Sequence, residues 1–391
     1  MTISYGGIKM TEKLFDNGML MDFDAKVISC TEIKKGWEIV LDRTAFFPEG
    51  GGQAGDVGRL GDTEVLDTYE KNGEVIHKCR SALEVGAEVH GSVNYNVRIR
   101  RMQNHSGEHL LMGFIHAKLG YENVGFHLGT SEVTLDLNGV ISDEDLAECE
   151  HKANEAIAKD LSITITYPDS ETLSGMEYRS KLEMTENVRI VTIEGADVCA
   201  CCAPHVGSTG QIGIIKVLSS ESYKGGTRVH ILCGLDAFEL LKQKQDTVSA
   251  LSKLLSAKPE KVYQFVERLL AENNELKRQI ADIEKQKAQD IIDSLSNDGR
   301  GSFCVFTKGI GRDAMREIAN KAVLLTDGAA GVFGEEAQGF SYIIASNSVA
   351  LRAKSKEINQ ALGGKGGGSD QMIQGSVTAS KEDIEAFFKT I

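Results

Sequence analysis

Residues 98–119 read RIRRMQNHSGEHLLMGFIHAKL, and the chain changes its period there. Met102, Leu110, Leu111, Phe114 and Ile115 fall near one face at helical spacing, which predicts a helix from Arg98 to about Leu119. The residues before it alternate apolar and polar side chains in short runs: KVISCTEI (26–33), WEIVLDRTAFF (37–47), TEVLDTYE (63–70), GEVIHKC (73–79) and EVHGSVNY (88–95). Gly, Asn and Asp turns separate these runs, so residues 1–95 are expected to form a small β-barrel or a meander. After the helix come a strand at VTLDL (133–137), a helix at about 143–160, a strand at ITITY (163–167), a polar helical stretch and a strand at VRIVTIEG (188–195). Two further strands follow in IGIIKVLSSESYKGGTRVHILCG (212–234). Residues 96–236 are therefore expected to form a mixed α+β domain.

From about Leu235 to Leu295 the sequence is helical and charged, with a new helix starting at Pro259. Val262, Val266, Leu269, Asn273, Leu276, Ile280 and Ile283 then step by fours and threes, the pattern of a coiled-coil seam with one polar residue. Residues 237–297 read as a helical hairpin or coiled-coil linker, or as a helix packed along its own domain. The last segment, 298–391, reads as a C-terminal α/β domain. Its strands are SFCVFTKG (302–309), AVLLTDGAAGVFGEE (322–336) and FSYIIASN (340–347), followed by a glycine loop at 363–370 and a terminal helix. The fold class is thus α+β and multidomain.

Composition narrows the function. Across 391 residues, 43 Lys and Arg stand against 57 Asp and Glu, a formal charge of −14, which excludes a general basic coat for nucleic acid. From Arg300 onward the balance is near neutral, with eleven basic and ten acidic residues. No stretch approaches the ~20 apolar residues of a membrane span. The N-terminus lacks the basic and apolar regions of a signal peptide, so a cytoplasmic location is expected. Of eight cysteines, Cys199, Cys201 and Cys202 are clustered, which favours metal binding or redox work over disulfide staples.

His105 and His109 lie four apart on the expected helix and so share a face; Cys201 and His205 repeat that step after a strand. Together they make a tetrahedral N₃S set suited to Zn²⁺, with Cys199 and Cys202 as competing thiols. Four protein ligands fit a structural ion. The polar company of Ser106 and Glu108 fits a working one, with Glu108 as a general base or simply an exposed helix carboxylate. TAFFPEGGGQAGDVG (44–58) places Gly50, Gly51 and Gly52 where backbone needs room, and Gln53 and Asp56 where a ligand could be bonded, or else it is a tight inter-strand loop. His127 reads by default as a core histidine. Arg228 suits a carboxylate or phosphate, and GGKGGG (363–368) a close approach to a sugar–phosphate backbone or a flexible turn.

TAFFPEGGGQAGDVG, NHSGEHLL, CCAPHVGSTGQIG and GTRVHILCG, in that order, resemble the editing half of alanyl-tRNA synthetase, and most of all the long form of its freestanding relatives, the AlaX family of alanyl-tRNA editing proteins. The helical stretch with GGKGGGSDQMIQG resembles the DHH-associated C-terminal domain of those synthetases. The resemblance implies a zinc-binding editing domain over 96–236, with Zn²⁺ on His105, His109, Cys201 and His205. It implies hydrolysis of tRNA(Ala) mischarged with serine, or with glycine. The family's glycine-rich loop falls on Glu49, Gly50, Gly51, Gly52 and Gln53, near the entry of the acceptor end, with Phe46 or Phe47 as docking faces. Lys365, Gly366, Gly367 and Gly368, Arg228, and the run Arg98, Arg100 and Arg101 are expected to supply local tRNA contacts. The family's NHTATH and its glutamine before Lys-Gly are here NHSGEH and FHLG, so Ser106, Glu108 and His127 fall where the substrate hydroxyl is sensed. Self-association through the helical and C-terminal regions is also expected. The alternatives are an editor of another preference, such as the threonyl type, or a non-catalytic, zinc-stabilised tRNA-binding or oligomerisation module. No ATP-binding or aminoacylation module is expected before these motifs.

Overall fold

The alternating runs close into a barrel of six strands, which follow one another around it in the order Asp22–Ile33, Gly36–Leu41, Glu74–Cys79, Thr63–Lys71, Gly58–Leu60 and Glu88–Val93. Every neighbouring pair is antiparallel. Val27, Ile39, Leu41, Leu60, Val65 and Cys79 fill the interior, as period-2 alternation dictates when one face is buried. The structure, a computed structural model, describes residues 11–129, 132–180, 188–296 and 301–390. The chain divides into two compact units, one up to Val248 and one from Ser249, parted within the helix Gly234–Leu255. Among the described residues no helix is long and apolar enough to cross a membrane.

One expectation at the barrel's end fails. The run through TAFF does not continue as a strand: Arg43–Thr44 pairs in parallel with Glu12–Lys13, and the chain then turns inward. Phe46 packs edge-on against Phe23 and His77, and Phe47 against Phe15 at a ring separation of 5.5 Å. Both rings are buried and offer no face for a nucleotide. Two adjacent phenylalanines cover too much apolar area to be left in water, and the barrel takes them.

Helix α1 (Tyr95–Leu119) follows directly. It begins three residues before Arg98 because the Asn94 side chain accepts from the Val97 amide, and it ends at Gly120 in a left-handed cap. Its buried residues include Arg98, Gln103, Asn104, His105, Ser106, Glu108 and His109, a polar load that needs partners throughout. Arg98 reaches back to the barrel, pairing with buried Asp56 and donating to the carbonyls of Gly18 (3.0 Å) and Ala45 (2.6 Å). Gln103 bonds the carbonyl of Gln211 and the amide of Leu235, and Asn104 accepts from the amide of Cys233 at 2.8 Å. A Cβ on Gly107 would lie 2.3 Å from Cys233 Sγ, and one on Gly113 2.3 Å from the Ala196 carbonyl. These two glycines let α1 lie hard against its strands, which outweighs their helix cost.

Around α1 stand an antiparallel sheet, in the order 215–223, 226–233, 133–137, 123–128, and a three-stranded sheet of 163–166, 190–193 and 197–200. The strand Asn123–Leu128, not among the expected strands, is the edge of the first sheet. Helix α2 (Asp143–Ala158), capped by Ser142, completes the core.

The second unit holds a five-stranded sheet in the order 303–307, 329–335, 340–346, 372–377, 365–368, with only the first pair parallel. Alternate strand residues feed two cores, Val332 and Ile343 on one face, Phe333 and Ile344 on the other. The helix Arg312–Ala322 covers the first face, and Leu351–Ala361 with Lys381–Phe388 the second; the first two of these helices were not anticipated. The glycine run Lys365–Gly368 is an edge strand rather than an open loop. A Cβ on Gly366 would meet the Tyr342 hydroxyl at 2.3 Å, so glycine is needed for close packing there. After a short turn at Pro259–Lys261, the helix Val262–Ser294 carries the expected seam with its apolar residues exposed: Leu269 is 49% accessible, Leu276 57% and Ile280 56%.

Candidate metal centre

Three imidazoles and one thiol converge where α1 meets the loop after the strand Asp197–Ala200. The ligand-type atoms of His105, His109, Cys201 and His205 all lie within 4.8 Å of one another. Cys201 Sγ is 3.5 Å from His105 Nε2 and 3.4 Å from His205 Nε2. A tetrahedral ion with bonds near 2.0–2.1 Å to nitrogen and 2.3 Å to sulfur requires N···S edges of roughly 3.5 Å. The donor set and its spacing fit such an ion.

Two of the imidazoles are held from behind through Nδ1, and the third faces a carboxylate there without an aligned hydrogen bond. Gln53 Oε1 lies 3.0 Å from His105 Nδ1, Ser106 Oγ 3.0 Å from His205 Nδ1, and Asp197 Oδ2 3.3 Å from His109 Nδ1. Outer partners on Nδ1 turn Nε2 toward the centre. The cysteine loop is pinned by Arg189, which donates to the carbonyls of Cys201 (2.7 Å) and Ala203 (2.9 Å).

The electrostatics of Cys201 and His205 agree with ligand duty, while His109 favours the protonated form and would have to give up its proton to an ion. Burial opposes ionisation of the Cys201 thiol, but the imidazoles of His105 and His205 outweigh it and hold the thiol well below its ordinary 9. Burial drives His205 down to about 3, so its imidazole is neutral. Burial also disfavours a charged His109, yet the Cys199 thiol and the Asp197 carboxylate raise it well above 6.5. His109, Asp197 and Cys199 form a second close group, but Arg179 occupies both Asp197 oxygens at 2.7 Å, which argues against a cation there.

A cavity of about 340 Å³ opens on the cluster, lined by His105, Glu108, His109, Phe126, Cys199 and Cys201, with Gly51 and Cys202 also in its wall. Glu108 is buried; Asn123 donates to its Oε1, and its Oε2 sits 4.0 Å from His109 Nε2. Of the three cysteines in competition, Cys201 has its sulfur among the imidazoles, while Cys202 is exposed.

Other expected site residues lie elsewhere or do other work. Ser106 is buried behind His205 and accepts from the Val206 amide, so it does not face the cavity. His127 is exposed on the strand Asn123–Leu128, one residue beyond Phe126; alternation along the strand turns it away while Phe126 lies 4.8 Å from the His105 ring. Gln53 is buried on His105 and Asp56 on Arg98; Gln53 Nε2 and Asp56 Oδ1 have no hydrogen-bond partner, but both side chains are closed off from the surface. Glu49, Gly51 and Gly52 are exposed and Gly50 partly so; Gly51 and Gly52 have φ of +59° and +83°. Arg228 is engaged by Asp136 (2.6 and 2.8 Å) and lies over the Tyr223 ring. The run expected to contact tRNA is likewise spent internally: Arg98 on Asp56, Arg100 on Asp236 and Glu239, Arg101 on the Gly55 carbonyl. Lys365 and its glycines lie in the second unit. Sequence reasoning missed Asn123, Arg179 and Asp197, which carry no local motif and act only through contacts distant in the chain.

Residues 188–230 match the family described as threonyl and alanyl tRNA synthetase second additional domain, and residues 8–97 the family described as tRNA synthetases class II (A). The alanyl-tRNA editing protein AlaX-L of Pyrococcus horikoshii is 28% identical over 398 residues, covering 96% of each chain. The alanine–tRNA ligases of Pyrococcus abyssi and Methanococcus maripaludis are 30% and 29% identical across 96% of this chain, which spans only 43% of their length.

Proposed function

We propose, on the premise that the chain is a homologue of the alanyl-tRNA editing proteins and of the matching part of alanine–tRNA ligases, that it is an aminoacyl-tRNA deacylase acting on tRNA(Ala) mischarged with serine or glycine. The observation that carries this reading is the N₃S cluster with His105, His109 and Cys201 in the wall of a cavity, beside the buried carboxylate of Glu108. A staple needs no such cavity. Editing also answers a physical need, because a pocket shaped for alanine cannot strongly reject an isostere that only adds a hydroxyl.

In this reading His105, His109, Cys201 and His205 hold Zn²⁺, matching three imidazoles and a thiolate to a borderline-soft ion. Bound zinc would supply positive charge beside the aminoacyl ester and its amine. Glu108, steadied by Asn123, takes a proton from the attacking water as the ester carbon–oxygen bond breaks, and returns it to the leaving ribose oxygen. The products are free amino acid and tRNA. Gly51, exposed at the cavity, admits the acceptor end, with Phe126 in the same lining. Discrimination of the amino acid falls to the lining groups rather than to Ser106 or His127. The second unit, of DHH-associated type, approaches the tRNA body through the exposed edge Lys365–Gly368, and the apolar seam of the helix Val262–Ser294 supports self-association.

The test is incubation of labelled Ser-tRNA(Ala), Gly-tRNA(Ala) and Ala-tRNA(Ala) with the protein. Cleavage of the mischarged esters well above the buffer rate, with Ala-tRNA(Ala) spared, is expected; no cleavage of any ends the reading. The closed four-ligand set favours one rival, a purely structural ion. His109→Ala separates the two: a folded, inactive protein supports catalysis, and unfolding on metal loss supports the staple.

A further inference from the structure

The three imidazoles are not backed alike. His105 rests on an amide oxygen and His205 on a hydroxyl, whereas His109 faces a carboxylate. That carboxylate is itself fixed. Arg179 donates Nε to Asp197 Oδ1 and Nη2 to Oδ2, each at 2.7 Å, a two-pronged grip that sets the plane of the group. The backbone of Arg179 is stitched to the same strand: its amide donates to the Val198 carbonyl (2.8 Å), and its carbonyl accepts from the Ala200 amide (2.9 Å). The pair is therefore built with the strand, before any ligand arrives.

The strand reaches His109 because of a gap one helical turn along α1. Gly113 has no side chain; a Cβ there would lie 2.3 Å from the Ala196 carbonyl and 2.9 Å from Asp197 Cβ. Asp197 Oδ2 lies 3.3 Å from the buried Nδ1 of His109, within ion-pair distance, and Nδ1 has no aligned hydrogen-bond partner. A metal held at Nε2 would make Nδ1–H a stronger donor toward that carboxylate.

We infer that Asp197, locked by Arg179, is a positioning residue that fixes the tautomer and direction of His109 and thereby sets how tightly the centre holds its metal. The inference rests on the reading that the four residues are metal ligands. A carboxylate pulling on Nδ1–H makes Nε2 a better donor than an amide or hydroxyl can, so His109 is the ligand whose loss of support costs most.

Zn²⁺ affinity by competition with a chromogenic chelator, and Co²⁺ titration followed by the thiolate-to-cobalt absorption band, test this on the full chain. Asp197→Asn keeps the shape and removes the charge; its dissociation constant is expected to rise 10- to 100-fold, on the order of other outer-shell losses. The cobalt band should still form at saturation, since Cys201 is untouched. Arg179→Gln frees the carboxylate from its two-pronged grip, and its affinity is expected to fall by about three- to tenfold, less than in Asp197→Asn. Asp197→Glu should recover part of the loss. Equal affinity in Asp197→Asn and the parent overturns the inference, as does an Arg179→Gln variant that binds as tightly as the parent. Should Asp197→Asn fail to fold, Arg179→Gln still decides, with unchanged affinity counting against. A parent chain that takes up neither ion overturns the metal reading itself, and this inference with it.

Discussion

Replacing Asp56 by asparagine probes the joint between barrel and helix. Asp56 and Arg98 are both essentially inaccessible, with side chains 1% and 0% exposed. The substitution leaves the guanidinium buried with the carbonyls of Gly18 and Ala45 and an amide in place of its counter-charge. Breaking a buried pair by removing one partner costs about 3–5 kcal/mol. The two carbonyls, together with an amide oxygen that can still accept from Phe47, favour the lower end, about 3 kcal/mol. The chain has one tryptophan, and it sits in the barrel: Trp37 on the strand Gly36–Leu41, so its fluorescence in urea follows this unit. With a slope of about 2–3 kcal/mol/M, the midpoint should fall by roughly 1 M. Arg98→Met combined with Asp56→Asn should be no worse than either single change, giving a coupling of about 2 kcal/mol or more. A midpoint shift below roughly 0.3 M in Asp56→Asn, or strict additivity in the double variant, would refute the view that this pair joins the two layers.

Acid should loosen the barrel through His77, whose burial drives it down to about 4 while Thr44 Oγ1 (2.8 Å) and the Ile39 carbonyl (3.1 Å) hold its ring. The unfolded chain, with His near 6.5, takes the proton first, so this stability is complete above pH ~6.5 and lost as pH falls toward the folded value. By pH 4.5 the loss reaches about 2–3 kcal/mol relative to His77→Gln; parallel pH profiles of the Trp37 transition in the two proteins would show the account to be wrong. Glu108→Gln should lower turnover of the mischarged ester about 100-fold or more with metal content unchanged, and normal turnover removes Glu108 from the mechanism. Gly52→Ala puts a Cβ 2.6 Å from the Phe126 ring and 2.8 Å from its carbonyl at a φ of +83°, so a loss of about 1–3 kcal/mol is expected in the same urea assay. Leu276→Lys with Ile280→Lys should reduce the mass seen by analytical ultracentrifugation; an unchanged mass counts against self-association through that seam.

The barrel was legible because its strands bury one face and alternate; α1 was legible from its helical spacing, but its start was placed three residues late because the Asn94 cap was not read. The four converging side chains could be named because each half lies within five residues. What holds them could not be named. Gln53 reads as part of a glycine loop, and only the fold reveals that it stands behind His105, fifty-two residues away. Arg98, Arg100 and Arg101 read as a basic patch because sequence displays charges but not their partners. Phe46 and Phe47 read as available faces because burial is a property of the whole sheet. The run at 365–368 looked like a loop because glycine's freedom is conspicuous, while its close packing on Tyr342 is invisible until strands are paired.

His105 and Cys201 are ninety-six residues apart, and Ser106 and His205 ninety-nine. During synthesis, then, the two α1 histidines emerge long before the thiol that completes their set, and two imidazoles hold a metal weakly. The centre is finished only when the first unit closes, after some two hundred residues have been made, because slow long-range contacts assemble it. Until then Cys199, Cys201 and Cys202 are open to oxidation as three neighbouring thiols. On the proposed reading of these four residues, metal uptake would mark the completion of folding, and a bound ion would stabilise the closed unit over every earlier form. In a dividing cell the share of chains loaded with metal would record how many finished folding before their thiols were lost.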